Sequence, residues 1–529
     1  MKSINKSFNS IFVKVLNFDK ALAILILFCI LYIVKAIHFP THDFSNYYFG
    51  GKFLETGNFN STIYFPYLFN KAIADLGYQN LFVSYAPNTP FSAILFAPFS
   101  LISIAKAKII FNIISSILLV FSIYKLFCFY KINSKYILLI PILFLIPIKN
   151  NLLFGQVYFL LFFLLSQGLI AYEKQQFKKM AFYFSFSIFL KVFPIVFILI
   201  FVFKKQLKPL LYTIGICSLF FGISVVFTGF DIWVFWLDSV FSKASNGEIA
   251  SSFVDNYQSV FMFLKRLLVF DITENPNSFY HNTVLFSGLI LGFKIFLISL
   301  GYFVTNKNPN NLFAFCYWVL VSYLISPYGC TYGFILLLFL FITILKKPYS
   351  IIQKCAFFLL LFLINNIPIS FFIDIKFPFT YLRLFLLVVL FLAFIFQINK
   401  TINYKIVVLL TVLLVVILMV FKEPKANKSE SFSNYALPIL VYDYKIINNK
   451  LTYFYWDEKG ENEKIWKLNF ESFLPLKIKN NQIFYNKKQL TSDNSNKLNP
   501  VLIDGKTILY LSDFDRGIGF YSLRKIEIN

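Results

Sequence analysis

Residues 20–51 read KALAILILFCILYIVKAIHFPTHDFSNYYFGG, an apolar run that ends at Pro40 and gives way at once to polar and aromatic residues. A helix needs about 20 apolar residues to cross the hydrocarbon layer of a membrane. A basic stretch through Lys20 precedes the run, which is too long for a signal peptide and lacks a small-residue cleavage site. The stretch therefore predicts a retained first membrane helix, followed by a polar segment on the far side.

Similar runs recur as far as residue 421, in a chain of 529 residues that is 58% hydrophobic and 21% aromatic. Lipid tolerates only helices or closed barrels, and these runs lack the period of two that barrel strands show. The sequence predicts an all-α polytopic membrane bundle of about thirteen transmembrane helices. The predicted spans are 20–38, 107–127, 136–148, 153–172, two short helices within 180–203, 209–227, 281–302, 311–325, 332–346, 350–367, 378–397 and 405–421.

The formal charge of +24 comes mostly from lysine clusters between the apolar runs. Basic loops of membrane proteins face the cytoplasm, so this charge indicates topology and not a nucleic-acid partner. It places the N-terminus inside, the segments 39–106 and 228–280 outside and, after an odd number of spans, the C-terminus outside. Of the twelve carboxylates before residue 421, Asp19 and Glu173 alone fall on the predicted inner face. We expect a multi-pass protein of the inner (plasma) membrane, surrounded by membrane lipids.

After Phe421 the composition becomes polar, with Tyr-rich alternating stretches and turn signals. The change predicts a transmembrane domain over residues 1–424 and a small β-rich extracytoplasmic domain over residues 425–529. Residues 500–523 resemble a blade repeat of TolB-like β-propellers. Because one or two blades cannot close a propeller, we expect a small sheet packed beside the membrane domain.

Several kinds of chemistry lack their signatures in this chain. It has no Walker loop, no dinucleotide fingerprint and no His or Cys cluster with metal-ligand spacing. The six cysteines lie mostly in apolar runs, which indicates packing residues and no disulfide framework. We therefore expect no metal and no cofactor, and ATP-driven transport, nicotinamide chemistry and zinc hydrolysis are disfavoured.

The first predicted outer segment carries the main catalytic candidate. Asp43 comes soon after the first span, beside His42 and shortly before Tyr47 and Tyr48. A partly desolvated carboxylate at the membrane edge suits a general base that takes the proton from an attacking hydroxyl. The alternative is an aspartate that flanks the span and caps the next helix.

Other candidates lie further along the chain. Lys191 interrupts an apolar run, where a charge at the bilayer centre costs roughly 2.5–3.5 kcal/mol, so it either faces a polar cavity or meets water at an outward turn. Gln156 opens a span and can bind a sugar hydroxyl or cap the helix. Arg266, after the polar residues Asn256 and Gln258, can clamp a phosphate or belong to a solvated amphipathic helix.

Short motifs in a set order resemble the polyprenol-phosphate-dependent mannosyltransferases of glycosyltransferase family 87, in the C-type membrane superfamily. The resembling stretches, within about residues 20–345, are Asp43-Phe44, Tyr47–Gly51, Gly57, Tyr64, Tyr85, Pro87, Pro98, Gly155-Gln156, Lys191, Pro194, Asn256, Gln258-Ser259 and Ser326-Pro327. After Ser326-Pro327 this chain departs from many relatives, which carry an aromatic residue and a histidine where it has Gly329, Cys330, Thr331 and Tyr332.

The resemblance implies an inverting transfer of a mannose-like hexose from a polyprenyl phosphate to a glycan or glycolipid acceptor on the outer face. It implies Asp43 as the general base and Lys191 and Arg266 as contacts to the donor phosphate. The predicted sugar or acceptor contacts are His42, Tyr47, Tyr48, Gln156, Asn256, Gln258, Ser326 and Tyr328.

Two other functions stay open at this point. A polytopic transporter or a lipid or glycan flippase would also use a buried lysine in a helical bundle. Such folds usually have two similar halves with matching helix breaks, whereas the break at Lys191 and Pro194 has no evident counterpart. A binding or anchoring role for the β domain would leave the polar outer segments unexplained.

Overall fold

The structure, a computed structural model, describes residues 20–248, 250–254, 257–272, 274–307, 310–372, 375–396, 407–408, 411–412, 430–431, 440–447, 450–457, 459–469 and 473–528. The lysines before Lys20, most of the predicted span 405–421 and the predicted domain boundary near residue 425 lie outside these residues. A helical part comes first and a small antiparallel β domain follows, as the change in composition predicts.

Helices account for the first part of the chain. The α-helices are α1 Lys20–Ile37, α2 His42–Glu55, α3 Pro66–Asp75, α4 Pro90–Phe96, α5 Ile104–Tyr130, α6 Ile140–Leu143, α7 Leu145–Phe154, α8 Tyr158–Glu173, α9 Phe177–Leu190, α10 Ile198–Phe203, α11 Leu207–Thr228, α12 Phe230–Phe235, α13 Ser242–Ser245, α14 Val260–Leu268, α15 Thr283–Lys307, α16 Asn311–Ile325, α17 Leu338–Lys346, α18 Ile351–Asn366 and α19 Leu382–Ile395. The 3-10 helices span Ser61–Tyr64, Ala97–Leu101, Ser134–Leu139, Phe193–Phe197, Thr331–Leu337, Ile369–Phe372 and Phe379–Tyr381, and a π-helix spans Trp236–Phe241.

The residues at the helix ends explain several of these boundaries. Pro66 and Pro90 begin α3 and α4, where a missing N–H costs nothing. Ser350 and Gln353 form a reciprocal capping box at the start of α18. Gly155 ends α7 in the left-handed conformation. These local signals determine where the polar connections leave the bundle.

Among the described residues, four helices are long and apolar enough to cross a membrane: α1, α5, α11 and α15. A fifth span results if Ser134–Leu143 and Leu145–Phe154, bent by 69°, count as one. The prediction of about thirteen spans is therefore not supported. Seven further apolar helices have only 10–17 residues, and Pro194 lies in one of them, just after the break at Lys191.

The outer surface of the bundle is apolar in the way that lipid contact requires. Leu27 of α1 is 66% exposed and Val226 of α11 is 82% exposed. By contrast, α16 is buried on nearly all sides, with Trp318 and Tyr317 fully enclosed. Exposed apolar helices around a buried apolar helix are typical of a membrane protein.

The β domain consists of small antiparallel sheets. Its strands are β1 Glu430–Ser431, β2 Leu440–Ile447, β3 Lys450–Asp457, β4 Gly460–Asn469, β5 Phe473–Pro475, β6 Ile478–Lys479, β7 Gln482–Tyr485, β8 Lys488–Gln489, β9 Lys497–Ile503, β10 Thr507–Ser512 and β11 Ser522–Glu527. The strand orders are β1-β11-β10-β9-β5, β2-β3-β4 and β6-β7-β8. The predicted small β domain is confirmed, and its described strands close no propeller.

The β domain packs against α3 of the first polar segment. The rings of Tyr67 in α3 and Tyr442 in β2 stack with their centroids 3.7 Å apart. The Tyr67 hydroxyl donates to Glu461 at 2.8 Å, and Lys71 forms an ion pair with the same carboxylate at 3.3 Å. Trp456 is buried beside this contact. The β domain and the segment 39–106 therefore lie on the same face of the bundle.

Candidate functional site

The turn between α1 and α2 is held by a buried lysine. Lys108 of α5 donates from Nζ to the carbonyl oxygens of Pro40 at 2.7 Å and Phe39 at 3.3 Å. Asp43 lies in the first turn of α2, where unpaired peptide N–H groups favour a negative charge. The carboxylate predicted from the sequence is thus fixed directly beyond the first membrane helix.

Gly155 allows the close approach that puts Gln156 beside Asp43. Its φ is +67°, and a Cβ at this position would lie 2.7 Å from the Cβ of Phe44 in α2. Only glycine satisfies both conditions without strain. The Gln156 amide then donates from Nε2 to Asp43 Oδ2 at 2.6 Å.

This bond changes the interpretation of Asp43 and Gln156. The N-cap of α2 is Thr41, and Asp43 lies two residues further along, in the first turn. Among the described residues, the Gln156 amide donates a hydrogen bond to the Asp43 carboxylate. Gln156, predicted as a sugar contact, therefore also contacts the candidate base.

Tyr47 fixes the orientation of the Gln156 amide. Its hydroxyl donates to Gln156 Oε1 at 3.1 Å, so the amide must present Nε2 to Asp43. Burial raises the pKa of Tyr47 well above its usual range, and the nearby Tyr158 and Asp43 charges add to the rise. Tyr47 therefore keeps its proton and acts as a donor, on the same face of α2 as Asp43.

Lys191 lies at the break between α9 and the 3-10 helix Phe193–Phe197, and the predicted interruption is confirmed there. Its Nζ donates to Asn88 Oδ1 at 3.0 Å and lies 5.4 Å from the centroid of the Tyr47 ring. Burial lowers the pKa of Lys191 to about 8, while the Asp43 charge opposes that change. Tyr47 thus links the carboxylate and the ammonium group.

Aromatic residues and one thiol surround this pair of charges. The rings of Tyr158 and Tyr332 lie 5.3 Å apart, and those of Tyr257 and Tyr328 lie 5.6 Å apart. Burial raises the pKa of the Cys330 thiol to about 11; the Tyr332 hydrogen bond and the Lys191 charge lower it, whereas the Asp43 charge raises it. Cys330 therefore lies close enough to the Asp43 carboxylate and the Lys191 ammonium group for their charges to affect its pKa.

The sequence reasoning missed Asn88, Tyr158, Tyr257 and Lys108. Asn88 could have been predicted from the sequence. It is a polar residue between Pro87 and the start of α4, in a stretch that carries the family resemblance. Tyr158 follows Gln156 by two residues. The contact of Lys108 with the turn before Asp43 depends on tertiary packing, and no sequence pattern indicated it.

Other predicted contacts hold backbone groups of the protein. The Tyr48 hydroxyl donates to Ile102 O at 2.9 Å, and Gln258 Nε2 donates to Thr380 O at 2.7 Å. The Tyr328 hydroxyl donates to Ala244 O at 2.7 Å. Ser326 binds the backbone of Tyr328 in the turn after α16. The side chain of His42 and all of Asn256 lie outside the described residues.

Arg266 belongs to α14 and lies over the ring of Phe253, with 5.6 Å between its guanidinium carbon and the ring centroid. Its backbone oxygen accepts a hydrogen bond from Asn275. The preceding residue, Lys265, forms an ion pair with Asp515 of the β domain. These contacts place Arg266 next to the interface with the β domain.

Comparison with known proteins gives one match. Residues 86–327 match the sequence model of a family described as Glycosyltransferase family 87. The matched range contains Gln156, Lys191 and Arg266 and begins after Asp43. No curated protein and no solved structure matches the chain.

Proposed function

We propose that this chain, whose residues 86–327 match the sequence model of glycosyltransferase family 87, moves a mannose-like hexose from a polyprenyl-phosphate donor to a glycan or glycolipid acceptor. The reaction inverts the configuration at the anomeric carbon and takes place on the outer face of the inner membrane. In this proposal the N-terminus is cytoplasmic, and the segment 39–106 and the β domain are extracytoplasmic.

The proposed reaction is a single displacement. The acceptor hydroxyl gives its proton to the Asp43 carboxylate while its oxygen forms a bond to the anomeric carbon. The bond from that carbon to the phosphate oxygen breaks, and polyprenyl phosphate leaves with one more negative charge. Lys191 stabilises this charge, and Arg266 is retained as a second candidate contact to the phosphate.

One observation carries the proposal: a carboxylate and an ammonium group, linked through Tyr47, lie just beyond the end of the first membrane helix. Each binds a neutral carboxamide, Gln156 or Asn88. Among the described residues, no ion pair joins Asp43 to Lys191. Both charges are therefore available to a substrate that needs a proton acceptor at one end and a phosphate partner at the other.

The surrounding side chains suit a sugar between these two charges. The aromatic rings of Tyr158, Tyr257 and Tyr332 offer apolar faces of the kind that pack against a pyranose ring. Hydroxyl and amide groups of the predicted contacts supply hydrogen bonds to its hydroxyls. Among the predicted contacts, Tyr328 packs against the Tyr257 ring, Gln258 follows Tyr257 in the chain, and Ser326 hydrogen-bonds the backbone of Tyr328. His42 and Asn256 are retained as candidates from the sequence alone.

A donor panel tests the proposal. The purified protein, reconstituted in vesicles with a glycan acceptor, is incubated with a series of polyprenyl-phosphate hexoses and, separately, with nucleotide hexoses. We expect glycosylated acceptor and an equal amount of released polyprenyl phosphate with at least one lipid donor. Transfer from nucleotide sugars alone would overturn the lipid-donor proposal. Movement of intact donor between leaflets without bond cleavage would favour a flippase.

A further inference from the structure

A turn of the β domain, residues 513–516, inserts into the membrane domain; we call it the clamp turn. Asp513 is fully buried, and its carboxylate accepts hydrogen bonds from Asn496 N at 2.8 Å, Asn496 Nδ2 at 2.7 Å and Gly519 N at 3.0 Å. Lys243 of α13 forms an ion pair with Asp513 at 3.1 Å. The Asp513 carboxylate thus both holds the shape of the clamp turn and attaches the turn to the membrane domain.

A second ion pair of the clamp turn is nearly enclosed. The Nζ of Lys265, a residue only 2% exposed, lies 2.9 Å from the Asp515 carboxylate and donates to Ser252 O at 2.8 Å. The Ser252 hydroxyl donates to Asp515 O at 3.2 Å. The residues around Ser252 are therefore held to the β domain by both side-chain and backbone groups.

The third ion pair joins Arg516 to Glu274. The other oxygen of Glu274 accepts hydrogen bonds from Ser251 Oγ at 2.8 Å and Phe253 N at 3.1 Å. The same short stretch, residues 250–254, is thereby bound on both sides. These contacts to charged groups fix the path of the stretch.

The same chain segment continues into the candidate active site. The ring of Tyr257 packs at right angles to Tyr328, and Ser259 Oγ donates to Pro327 O at 2.8 Å. Gly329 lies so close that a Cβ there would be 2.6 Å from the backbone nitrogen of Gln258. Burial raises the pKa of Tyr257 well above its usual range, and the Cys330, Tyr328 and Asp43 charges add to the rise.

We propose that the β domain positions one wall of the reaction site: the clamp turn fixes residues 250–254, and these place Tyr257 and Gln258 where they contact the acceptor. Asp515 and Lys265 are then positioning residues, since they act through the segment and do not touch the reacting atoms. The part of this inference that concerns acceptor contact rests on the proposed function. The part that concerns fixation of residues 250–254 rests only on the contacts described above.

The two partners of the enclosed pair differ in exposure, which gives the proposal a specific signature. Replacing Asp515 by Asn leaves a buried ammonium group without its counter-charge, whereas replacing Lys265 by Met leaves Asp515, 33% exposed, free to bind water. Asp515→Asn must therefore loosen the segment more than Lys265→Met. Because the two groups form one pair, the double variant must resemble Lys265→Met.

The test uses the full-length protein in vesicles and two measurements. Hydrogen exchange of peptides covering residues 250–259 must become faster in Asp515→Asn, and less so in Lys265→Met. In the transfer assay, Asp515→Asn must lower kcat/KM for the acceptor by roughly 100-fold, the effect of about 1 Å of misplacement, while KM for the donor stays within about twofold.

Glu461→Gln is the matched control, because it also removes a carboxylate from an ion pair across the domain interface. Its partner Lys71 is 51% exposed and belongs to α3, and neither side chain of this pair hydrogen-bonds residues 250–254 or 257–259. Exchange in this control must equal that of the unchanged protein. If hydrogen exchange of residues 250–259 is the same in Asp515→Asn as in the unchanged protein, the clamp turn does not fix this segment. If exchange in Asp515→Asn is faster but KM and kcat for the acceptor do not change, the clamp turn has no role at the reaction site. No transfer by the unchanged protein counts against the proposed function, while the exchange result still decides whether the clamp exists.

Discussion

Charged groups are used in opposite ways at the membrane edge and at the domain interface. At the interface, Lys265 and Asp515 bind each other directly at 2.9 Å. At the membrane edge, Asp43 and Lys191 each bind a neutral carboxamide, at 2.6 and 3.0 Å respectively. Both regions keep charges out of bulk water, but only the interface neutralises them in place.

This difference agrees with the proposed division between charges that build structure and charges that act in the reaction. A buried ion pair satisfies both partners and fixes geometry, so neither group has capacity left for a ligand. A carboxamide orients a charge without neutralising it. The Asp43 carboxylate and the Lys191 ammonium group therefore retain most of their attraction for a proton and for a phosphate, which is the condition for catalysis by electrostatic preorganisation.

Removing the Asp43 charge gives the largest expected effect. Asp43→Asn keeps the shape of the side chain but cannot accept the acceptor proton, so the transfer rate should fall by roughly 10²- to 10⁴-fold. Thermal unfolding should occur at the same temperature as in the unchanged protein. Asp75→Asn is the matched control, since Asp75 ends α3 in the same segment and is exposed. An equal loss in both variants would show that the segment, and not Asp43, is what the substitution disturbs.

Lys191→Met should come next, with KM for the lipid donor rising roughly 10- to 100-fold. Losing a charged hydrogen bond costs about 1.5–3 kcal/mol, and each 1.4 kcal/mol is a factor of ten. Lys191→Arg keeps the charge and should retain donor binding better than Met. If KM for the donor does not change in Lys191→Met, another group, such as Arg266, contacts the donor phosphate.

The pH dependence of donor binding provides a separate check on Lys191. Its pKa is about 8, so the ammonium form dominates below that pH and is lost as the pH rises through 8. Donor affinity should therefore fall between roughly pH 7 and 9 in the unchanged protein. The Lys191→Arg variant should not show this fall, because a guanidinium group stays charged.

Gln156→Leu tests whether orientation alone matters at the same site. The variant keeps the volume but removes the donor to Asp43 and the acceptor for Tyr47. The kcat should fall roughly tenfold, with KM for the donor changed little, since one hydrogen bond to a charged group is lost. A rise in donor KM with normal kcat would instead make Gln156 a sugar contact, as first predicted from the sequence.

The smallest effect is expected at the exposed edge of the domain interface. Glu461→Gln should change the free energy of unfolding by less than about 1 kcal/mol, because exposed ion pairs contribute little. Transfer should stay within about twofold of the unchanged protein. A large loss of stability, measured by thermal unfolding in detergent, would mean that the two domains depend on this contact as much as on the buried pairs.

The sequence predicted the features that depend on local pattern. The helix ending before Pro40, the break at Lys191 and the change to β structure after the last apolar run all follow from periodicity, proline and composition. Asp43 was predicted from its place just beyond the first span and from the family resemblance.

What the sequence did not predict depends on tertiary packing. The count of spans was too high because seven apolar runs form helices of only 10–17 residues, shorter than the roughly 20 residues that a span needs. Asn88 and Gln156 meet the two charges across more than 100 residues of chain, since their hydrogen-bond partners Lys191 and Asp43 lie 103 and 113 positions away. The ion pairs of the clamp turn join residues that are 242 to 270 positions apart, and no pattern of spacing indicates such contacts.

The most direct measurement compares donor binding and turnover in one preparation of each variant. Labelled polyprenyl-phosphate hexose is titrated into vesicles containing Asp43→Asn or Lys191→Met, and transfer is followed in parallel. The account predicts that Asp43→Asn binds donor as tightly as the unchanged protein without transferring its sugar, whereas Lys191→Met binds it weakly. Normal turnover by Asp43→Asn would contradict it.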